Sequence, residues 1–323
     1  MRFDWISPIR INLKMLRIIG LWPDGEKYKL ELYTLYSMVI VGTSLFLHTL
    51  FYTVEVVLLL KSEMEIVIKT LFMALNQSIA FLKCCCFMYN LKRMKRLIQN
   101  LENDLFQPQS DKQRKQIKPM IVTWKIGQLS FFAIAYITLL LFLLLPILTK
   151  TTNQYRLPFH AWYPWSIKKS PFYEITYLFQ SFAFTLRVTC STTMDTLVAA
   201  LNTYISAQCT ILCDTFRSIS PEENIYQNIK RCVLHHKEIL RLAKDSNAFY
   251  NWIALGQFFT TCITLALTMF LLSLMDPFSS EGQTLLLYLC VVSSETFLYC
   301  WFGNEVEIKV RVKMLFCCYL LQK

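Results

Sequence analysis

The apolar positions of this chain fall into six long runs that are separated by polar segments. Each run supplies the roughly 20 mostly apolar residues that a helix needs to cross about 30 Å of hydrocarbon. No run shows the alternation of apolar and polar residues that a membrane β-strand requires. We therefore predict an all-α fold, a polytopic transmembrane helical bundle. Its predicted spans cover residues 33–60, 64–89, 120–148, 171–206, 250–275 and 284–304.

The composition supports a membrane protein. Hydrophobic residues make up 54% of the 323 residues and charged residues only 17%, so a soluble fold of this size would expose large apolar patches. Residues 1–32 mix charged and apolar positions and lack the apolar core of a cleavable secretory signal. The first span is therefore expected to target the chain to the membrane.

The distribution of basic residues predicts the orientation. The N-terminal segment, the alternate loops and the C-terminal segment hold 24 Lys and Arg residues, whereas the intervening loops hold five. Basic residues collect on the cytoplasmic side, which makes residues 1–32 a cytoplasmic segment, 33–306 the transmembrane domain and 307–323 a short cytoplasmic tail. The net charge of +11 then reflects this topology and contact with anionic membrane lipid. It gives no indication of nucleic acid.

The sequence contains no motif for catalysis or for a cofactor. It has no Gly-rich phosphate loop and no nucleophile elbow, so we predict neither an enzyme nor a cofactor. Cys209 and Cys213 are one helical turn apart, and His235 and His236 follow in the same cytoplasmic loop. Because this spacing matches no known zinc module, we predict no metal site and assign these side chains to an inner helix.

Ionisable residues inside the runs are the most informative polar positions. Each is costly in hydrocarbon and usually faces protein or water. Lys69 and Lys125 lie near span ends, from which their side chains can reach the interface. Arg187 lies about two turns from Asp195 and is rotated by about 80°, so we expect its partner on another helix, in a structural or a functional role. The full set is Lys69, Lys83, Lys125, Glu174, Arg187, Asp195 and Glu295.

Several short motifs, in order along residues 17–306, resemble the insect odorant receptor family. They include RIIGLWP at 17–23, the aromatic loop from Leu157 to Trp165, Tyr177 with Gln180 and Asp195 along the fourth run, and the segment around His235. The most specific is YCWFGNEV at 299–306, whose informative positions are Tyr299, Trp301, Phe302, Gly303, Asn304 and Glu305.

The resemblance implies a seven-helix plasma-membrane subunit that forms a tetramer with a shared odorant co-receptor. Such an assembly is a cation channel gated by small volatile ligands. It also implies a pocket in the outer half of the bundle, an inner anchor and a pore-lining seventh helix. Residues 314–321 supply only eight apolar positions, too few to cross a membrane. We therefore expect the chain to stop before that helix and not to conduct ions by itself.

Pocket residues follow no motif in this family, so we select candidates by depth and chemistry. Apolar walls with a few polar groups suit a small volatile molecule, although ordinary helix packing is the alternative interpretation at every position. The candidates are Phe72, Met73, Asn76, Tyr136, Leu139, Tyr177, Gln180, Phe184 and Tyr288.

Three other functions stay open at the level of sequence. A gustatory receptor-like chemoreceptor would share the fold and the orientation. A small-molecule transporter would usually show internal repeats, and residues 33–148 and 171–304 show no convincing repeat of each other. A structural or interfering subunit would suit a chain that lacks the pore-lining helix.

Overall fold

The structure, a computed structural model, describes residues 2–25, 28, 31–60, 64–149, 152, 155–159, 161–219 and 224–321, with the backbone alone at 64–66, 69 and 311–321. These residues form nine α-helices and contain no β-strand. The all-α prediction is therefore confirmed. The side chain of Lys69 lies outside the described residues.

Within the described residues, six helical stretches are long and apolar enough to cross a membrane. The first consists of α2 (Leu32–Val41), a π-helical turn (Gly42–Leu47) and α3 (His48–Leu59). The other five are α4 (Met64–Tyr89), α6 (Asp111–Leu148), α7 (Phe172–Arg217), α8 (Ile225–Leu274) and α9 (Ser280–Leu321). They correspond one to one with the six predicted runs, which confirms a polytopic transmembrane bundle.

Three helices extend well beyond the predicted spans. α7 has 46 residues and α8 has 50, which at about 1.5 Å per residue gives lengths of about 69 and 75 Å. Both lengths exceed twice the hydrocarbon thickness. The C-terminal part of α7 and the N-terminal part of α8 therefore project from the basic side of the bundle. The predicted tail, 307–323, continues α9 as a helix as far as Leu321.

Two short helices complete the end from which α7 and α8 project, which is called the inner end here because the sequence predicts it to be cytoplasmic. α1 (Arg10–Ile19) packs against α7, and α5 (Leu91–Asn100) packs against α8. α1 ends at Gly20, whose φ of 92° is the left-handed conformation that favours glycine. A Cβ there would lie 2.8 Å from the Cα of Ser37 in α2. Gly20 therefore allows the N-terminal segment to turn sharply against the first span.

α7 is the central helix of the bundle. Inside its most apolar stretch 94% of the residues are buried, compared with 28–44% in the other five spans. Its small side chains, such as Ala183, Thr193 and Ala200, let α9, α6 and α8 approach closely. The apolar core around it has an inner part, containing Trp124 and Tyr204, and a separate outer part, where the candidate site lies.

Candidate ligand-binding cavity

A cavity of about 80 Å³ lies beside α7 in the outer half of the bundle, between α4, α6, α8 and α9. Apolar and aromatic side chains form most of its wall. The connection between α6 and α7, which contains the aromatic segment 157–165 and is called the outer loop here, contributes Phe159 to the lining. Such a wall with a few polar groups is typical of a small-molecule site. The polar lining consists of Asn76, Thr138, Arg187, Ser191, Thr192, Gln257, Tyr288 and Glu295.

Five of the nine predicted pocket residues line this inner cavity. They are Met73, Asn76, Leu139, Phe184 and Tyr288. A sixth, Phe72, packs edge to face on Tyr288, with 5.6 Å between the ring centroids, and lines a neighbouring outer cavity. Depth and residue type therefore predicted a set of side chains that the fold brings together.

The other three predicted residues support the wall from outside. Gln180 donates from Nε2 to the carbonyl oxygen of Phe159 at 2.9 Å, and its Oε1 accepts from the Phe159 amide at 3.2 Å. The hydroxyl of Tyr177 donates to the carbonyl oxygen of Leu143. Tyr136 shares a hydrogen bond of 2.7 Å with the hydroxyl of Thr189. These three side chains position the cavity rather than line it.

The outer cavity has a volume of about 350 Å³ and lies under the outer loop. Met73, Phe142 and Phe159 line both cavities and thus separate them. The Phe159 ring is stacked on Phe184 with a centroid distance of 3.8 Å. Phe159 belongs to the aromatic loop 157–165, which the sequence identifies as a motif. The order of residues in that loop does not indicate which aromatic ring faces the cavity.

The rest of the outer loop forms an aromatic cap. Tyr163 is buried, lies 5.2 Å from the Phe51 ring centroid and accepts a hydrogen bond of 3.2 Å from Gln180. Burial raises the pKa of Tyr163 well above its usual value, so the phenol stays neutral. Trp165 donates from Nε1 to the Thr176 hydroxyl at 2.8 Å while remaining partly exposed. The cap is thus held by contacts to both α3 and α7.

A buried ionic network lies at the inner end of the cavity. The ammonium group of Lys83 in α4 lies 2.9 Å from Asp195 in α7 and 2.8 Å from Glu295 in α9. Ser191 accepts from Lys83 at 3.3 Å, and Tyr299 donates to Asp195 at 2.7 Å. Because Ser191 and Glu295 also line the cavity, a molecule inside it would contact the network directly. The sequence identified all three charged residues but not their pairing.

Arg187 is placed differently from the network. It lines the cavity, its guanidinium lies 5.6 Å from the Phe184 ring centroid, and its Nη1 donates to the carbonyl oxygen of Asn76 in α4 at 3.5 Å. Among the described side chains, no carboxylate lies within ion-pair distance of it. Its partner is therefore on another helix, as expected, but that partner is a backbone carbonyl.

Most of the motif at 299–306 lies below the cavity. Tyr299 reaches the ionic network, and Phe302 is buried in the inner core. Glu305 pairs with Lys309 at 2.9 Å, whereas Trp301 and Asn304 are exposed. The motif therefore connects the network to the inner half of α9, and Gly303 has open space around it.

The cysteine and histidine positions considered for a metal serve in helix packing. Cys209 and Cys213 are buried in α7, and Nε2 of His235 lies 3.1 Å from Oε1 of Gln208. Among the described residues, no group of three or more His, Cys, Asp or Glu side chains is arranged to hold a metal ion.

Six apolar spans, five of which line a mostly apolar cavity, define a multi-pass membrane protein with a candidate small-molecule site. The model of the 7tm odorant receptor family matches residues 63–310, and the chain belongs to that family. This confirms the resemblance found in the sequence. The chain is 24% identical to odorant receptor Or1 of Anopheles gambiae over 343 aligned positions, which cover 94% of this chain and 79% of that protein.

Solved structures show the same fold. The insect olfactory receptor OR5 from Machilis hrabei is similar with a TM-score of 0.82 and 18% identity, covering 96% of this chain and 83% of that one. The structure of OR5 in complex with eugenol is similar with a TM-score of 0.82 and 18% identity, covering 98% and 84% of the two chains.

Proposed function

We propose that this chain is an odorant receptor subunit that binds a small volatile molecule in the inner cavity. It contributes, together with an odorant co-receptor subunit, to a tetrameric ligand-gated cation channel of the plasma membrane, with its N-terminus in the cytoplasm. The observation that carries the proposal is the cavity between five spans in the outer half of the bundle, with its mostly apolar wall and its smaller set of polar groups.

The position of the cavity supports a role in signalling as well as in binding. Its lining comes from five spans, and Glu295 and Ser191 belong both to the lining and to the network that joins α4, α7 and α9. A ligand shifts a conformational equilibrium only through different affinities for the two states. The wall of this cavity contains an ion network that joins three helices, so its shape and its polar contacts change when those helices move. A ligand in the cavity would therefore bind the two conformations with different affinities.

Recognition is assigned to the cavity side chains and their supports. Met73, Leu139 and Phe184 supply apolar contact, and Phe72 extends it toward the outer cavity. Tyr136, Tyr177 and Gln180 fix the wall and the loop above it. OR5 binds eugenol in its solved complex, which supports a small organic ligand for a chain with the same fold.

The test compares two phenylalanines of α7 in cells that express the chain with the co-receptor. Phe184 is buried in the cavity wall, whereas Phe182 is 50% exposed on the outer face of the helix. We expect Phe184→Ala to shift the volatile concentration for half-maximal current upward by roughly 5- to 150-fold, since it removes about 1–3 kcal/mol of contact. Phe182→Ala should leave it unchanged at equal surface expression. Equal effects of the two substitutions would contradict the proposed site.

A further inference from the structure

Most polar groups that line the inner cavity already have partners in the protein. The hydroxyls of Thr138 and Thr192 each donate to a carbonyl of their own helix at 2.8 Å. Ser191 donates to Asp195 at 3.2 Å. The amide of Asn76 donates to the carbonyl oxygen of Phe72 at 2.7 Å. None of these groups needs a ligand to complete its hydrogen bonding.

Three lining residues carry a buried polar atom without a hydrogen-bond partner among the described residues. These atoms are Nε of Arg187, the hydroxyl of Tyr288 and Oε1 of Gln257. A buried polar group without a partner is costly, and a donor is costly most of all when it is charged. Arg187 is the extreme case, because the hydrogen bond from its Nη1 to Asn76 is 3.5 Å long.

Arg187 and Tyr288 form one corner of the cavity. Arg187 bonds to the backbone of Asn76, and Tyr288 packs on Phe72, one helical turn away on α4. Both are hydrogen-bond donors. Gln257 lies on α8 and bonds through its amide to Thr261 of the same helix at 3.2 Å. Both donors therefore line the cavity beside the same turn of α4.

The charges around the cavity determine which kind of acceptor fits. The basic side chains there are Lys83 and Arg187, and the acidic side chains are Asp195 and Glu295. A carboxylate ligand would bring a further negative charge beside these acidic groups in a medium of low dielectric constant, where an excess charge is costly. A neutral oxygen acceptor adds hydrogen bonding and leaves the balance unchanged.

We propose that the ligand is a neutral, mostly apolar molecule with a carbonyl oxygen that accepts hydrogen bonds from Arg187 and Tyr288. This inference rests on the proposed function, because it assigns the chemical class of the odorant. Arg187 and Tyr288 then determine specificity, and the aliphatic or aromatic remainder of the ligand lies against Met73, Leu139 and Phe184.

The test uses purified full-length protein and matched sets of ligands with equal numbers of non-hydrogen atoms. Each set contains a 2-alkanone, an n-alkane and an n-alkanoate, for example 2-octanone, nonane and heptanoate, and the sets cover a range of chain lengths. Binding is measured as ligand-induced thermal stabilisation, which depends on the dissociation constant. In the wild-type protein we expect the best ketone to bind roughly tenfold or more tightly than its matched alkane and alkanoate.

The variants are Tyr288→Phe, Arg187→Met and, as a matched control, Thr138→Val. The first two should reduce the preference for the ketone to about threefold or less while leaving alkane binding intact, because they remove donors but keep apolar bulk. Thr138→Val should preserve the preference, since that hydroxyl bonds to its own helix. If Arg187→Met fails to fold, Tyr288→Phe decides the test, because it removes a single oxygen atom.

Two results would overturn the inference while leaving the proposed function standing. One is equal binding of ketones and alkanes, or a preference that survives both donor-removing variants. The other is tighter binding of alkanoates than of ketones. A wild-type protein that binds no compound from any set would contradict the proposed function itself, and this inference with it.

Discussion

Single side chains in the outer half of the bundle have different tasks even where the sequence makes them look alike. Depth and residue type group Gln180 and Tyr177 with Phe184 as candidate pocket residues. Phe184 lines the cavity, whereas Gln180 faces the loop above it. Depth follows from the position of a residue along an apolar span. The direction of a side chain depends on which neighbour packs on each face of the helix, and one sequence does not contain that information.

Gln180→Leu is expected to loosen the outer loop. The Phe159 amide donates to the Gln180 side chain at 3.2 Å, and the Phe159 carbonyl accepts from it at 2.9 Å. The substitution removes both partners. A buried backbone group without a partner costs about 1–3 kcal/mol. Thermal unfolding in detergent should occur at a lower temperature, and ligand affinity should fall. Ser181→Ala is the control, because that hydroxyl bonds only to its own helix; an equal effect of the control would contradict this role of Gln180.

Gly20→Ala is expected to destabilise the turn between α1 and α2. The added Cβ meets the Cα of Ser37 at 2.8 Å, and the left-handed φ of 92° costs a further ~1–2 kcal/mol for an alanine. Gly42 offers a matched comparison, since it has ordinary helical φ and nothing within 4 Å of an added Cβ. Gly42→Ala should be neutral or slightly stabilising. Chemical denaturation of both variants would reveal the difference, and similar stabilities would argue against a strained turn at Gly20.

At the scale of whole elements, the sequence predicted the spans but not the contacts between them. Apolar length is a property of each segment alone, and all six predicted runs are helices. The network of Lys83 joins residues 112 and 212 positions away. Its formation depends on the rotation of three helices about their axes and on the close approach that the small residues of α7 permit. The sequence indicated that these charges need partners; only the packing shows which.

Lys83→Met is expected to be strongly destabilising. It leaves Asp195 and Glu295 together in the interior without their shared cation, and removing one partner of a buried ion pair costs about 3–5 kcal/mol. Arg10 is the control, because its pair with Asp4 is more than half exposed on both sides and such pairs contribute little. The yield of folded protein and its unfolding temperature should fall for Lys83→Met but not for Arg10→Met. Equal stability of the two variants would mean that the network is not ionised.

At the scale of the molecule, the unequal ends of the bundle follow from the charge pattern. In the sequence, 24 basic residues belong to the terminal segments and loops at the end from which α7 and α8 project, and five belong to the loops at the end of the capping loop. The positive-inside rule predicts that the former end faces the cytoplasm. The apolar core also has two parts, one that includes residues of α1 and α5 and one near the capping loop.

The orientation can be tested with epitope tags. A tag before Met1 should bind antibody only in permeabilised cells, because the segment that follows belongs to the basic side. A tag inserted after Lys168 in the outer loop should be labelled on intact cells, which also controls for surface expression. Labelling of the N-terminal tag on intact cells would refute the proposed topology.

The stacked ring of Phe159 has a consequence for the time course of a response. A molecule that moves from the outer to the inner cavity has to displace this ring from Phe184, and it has to do so again when it leaves. The ring therefore slows both the entry and the exit of the ligand. It raises the free-energy barrier between the two cavities more than it stabilises the bound ligand. Phe159→Leu should therefore speed both the onset and the decay of the response to brief pulses of ligand. The ligand concentration that gives a half-maximal response at equilibrium should change little. Faster decay with unchanged onset would instead mean that the ring stabilises the bound molecule without obstructing its entry, and persistence of the signal after a stimulus ends would then depend on contacts in the bound state.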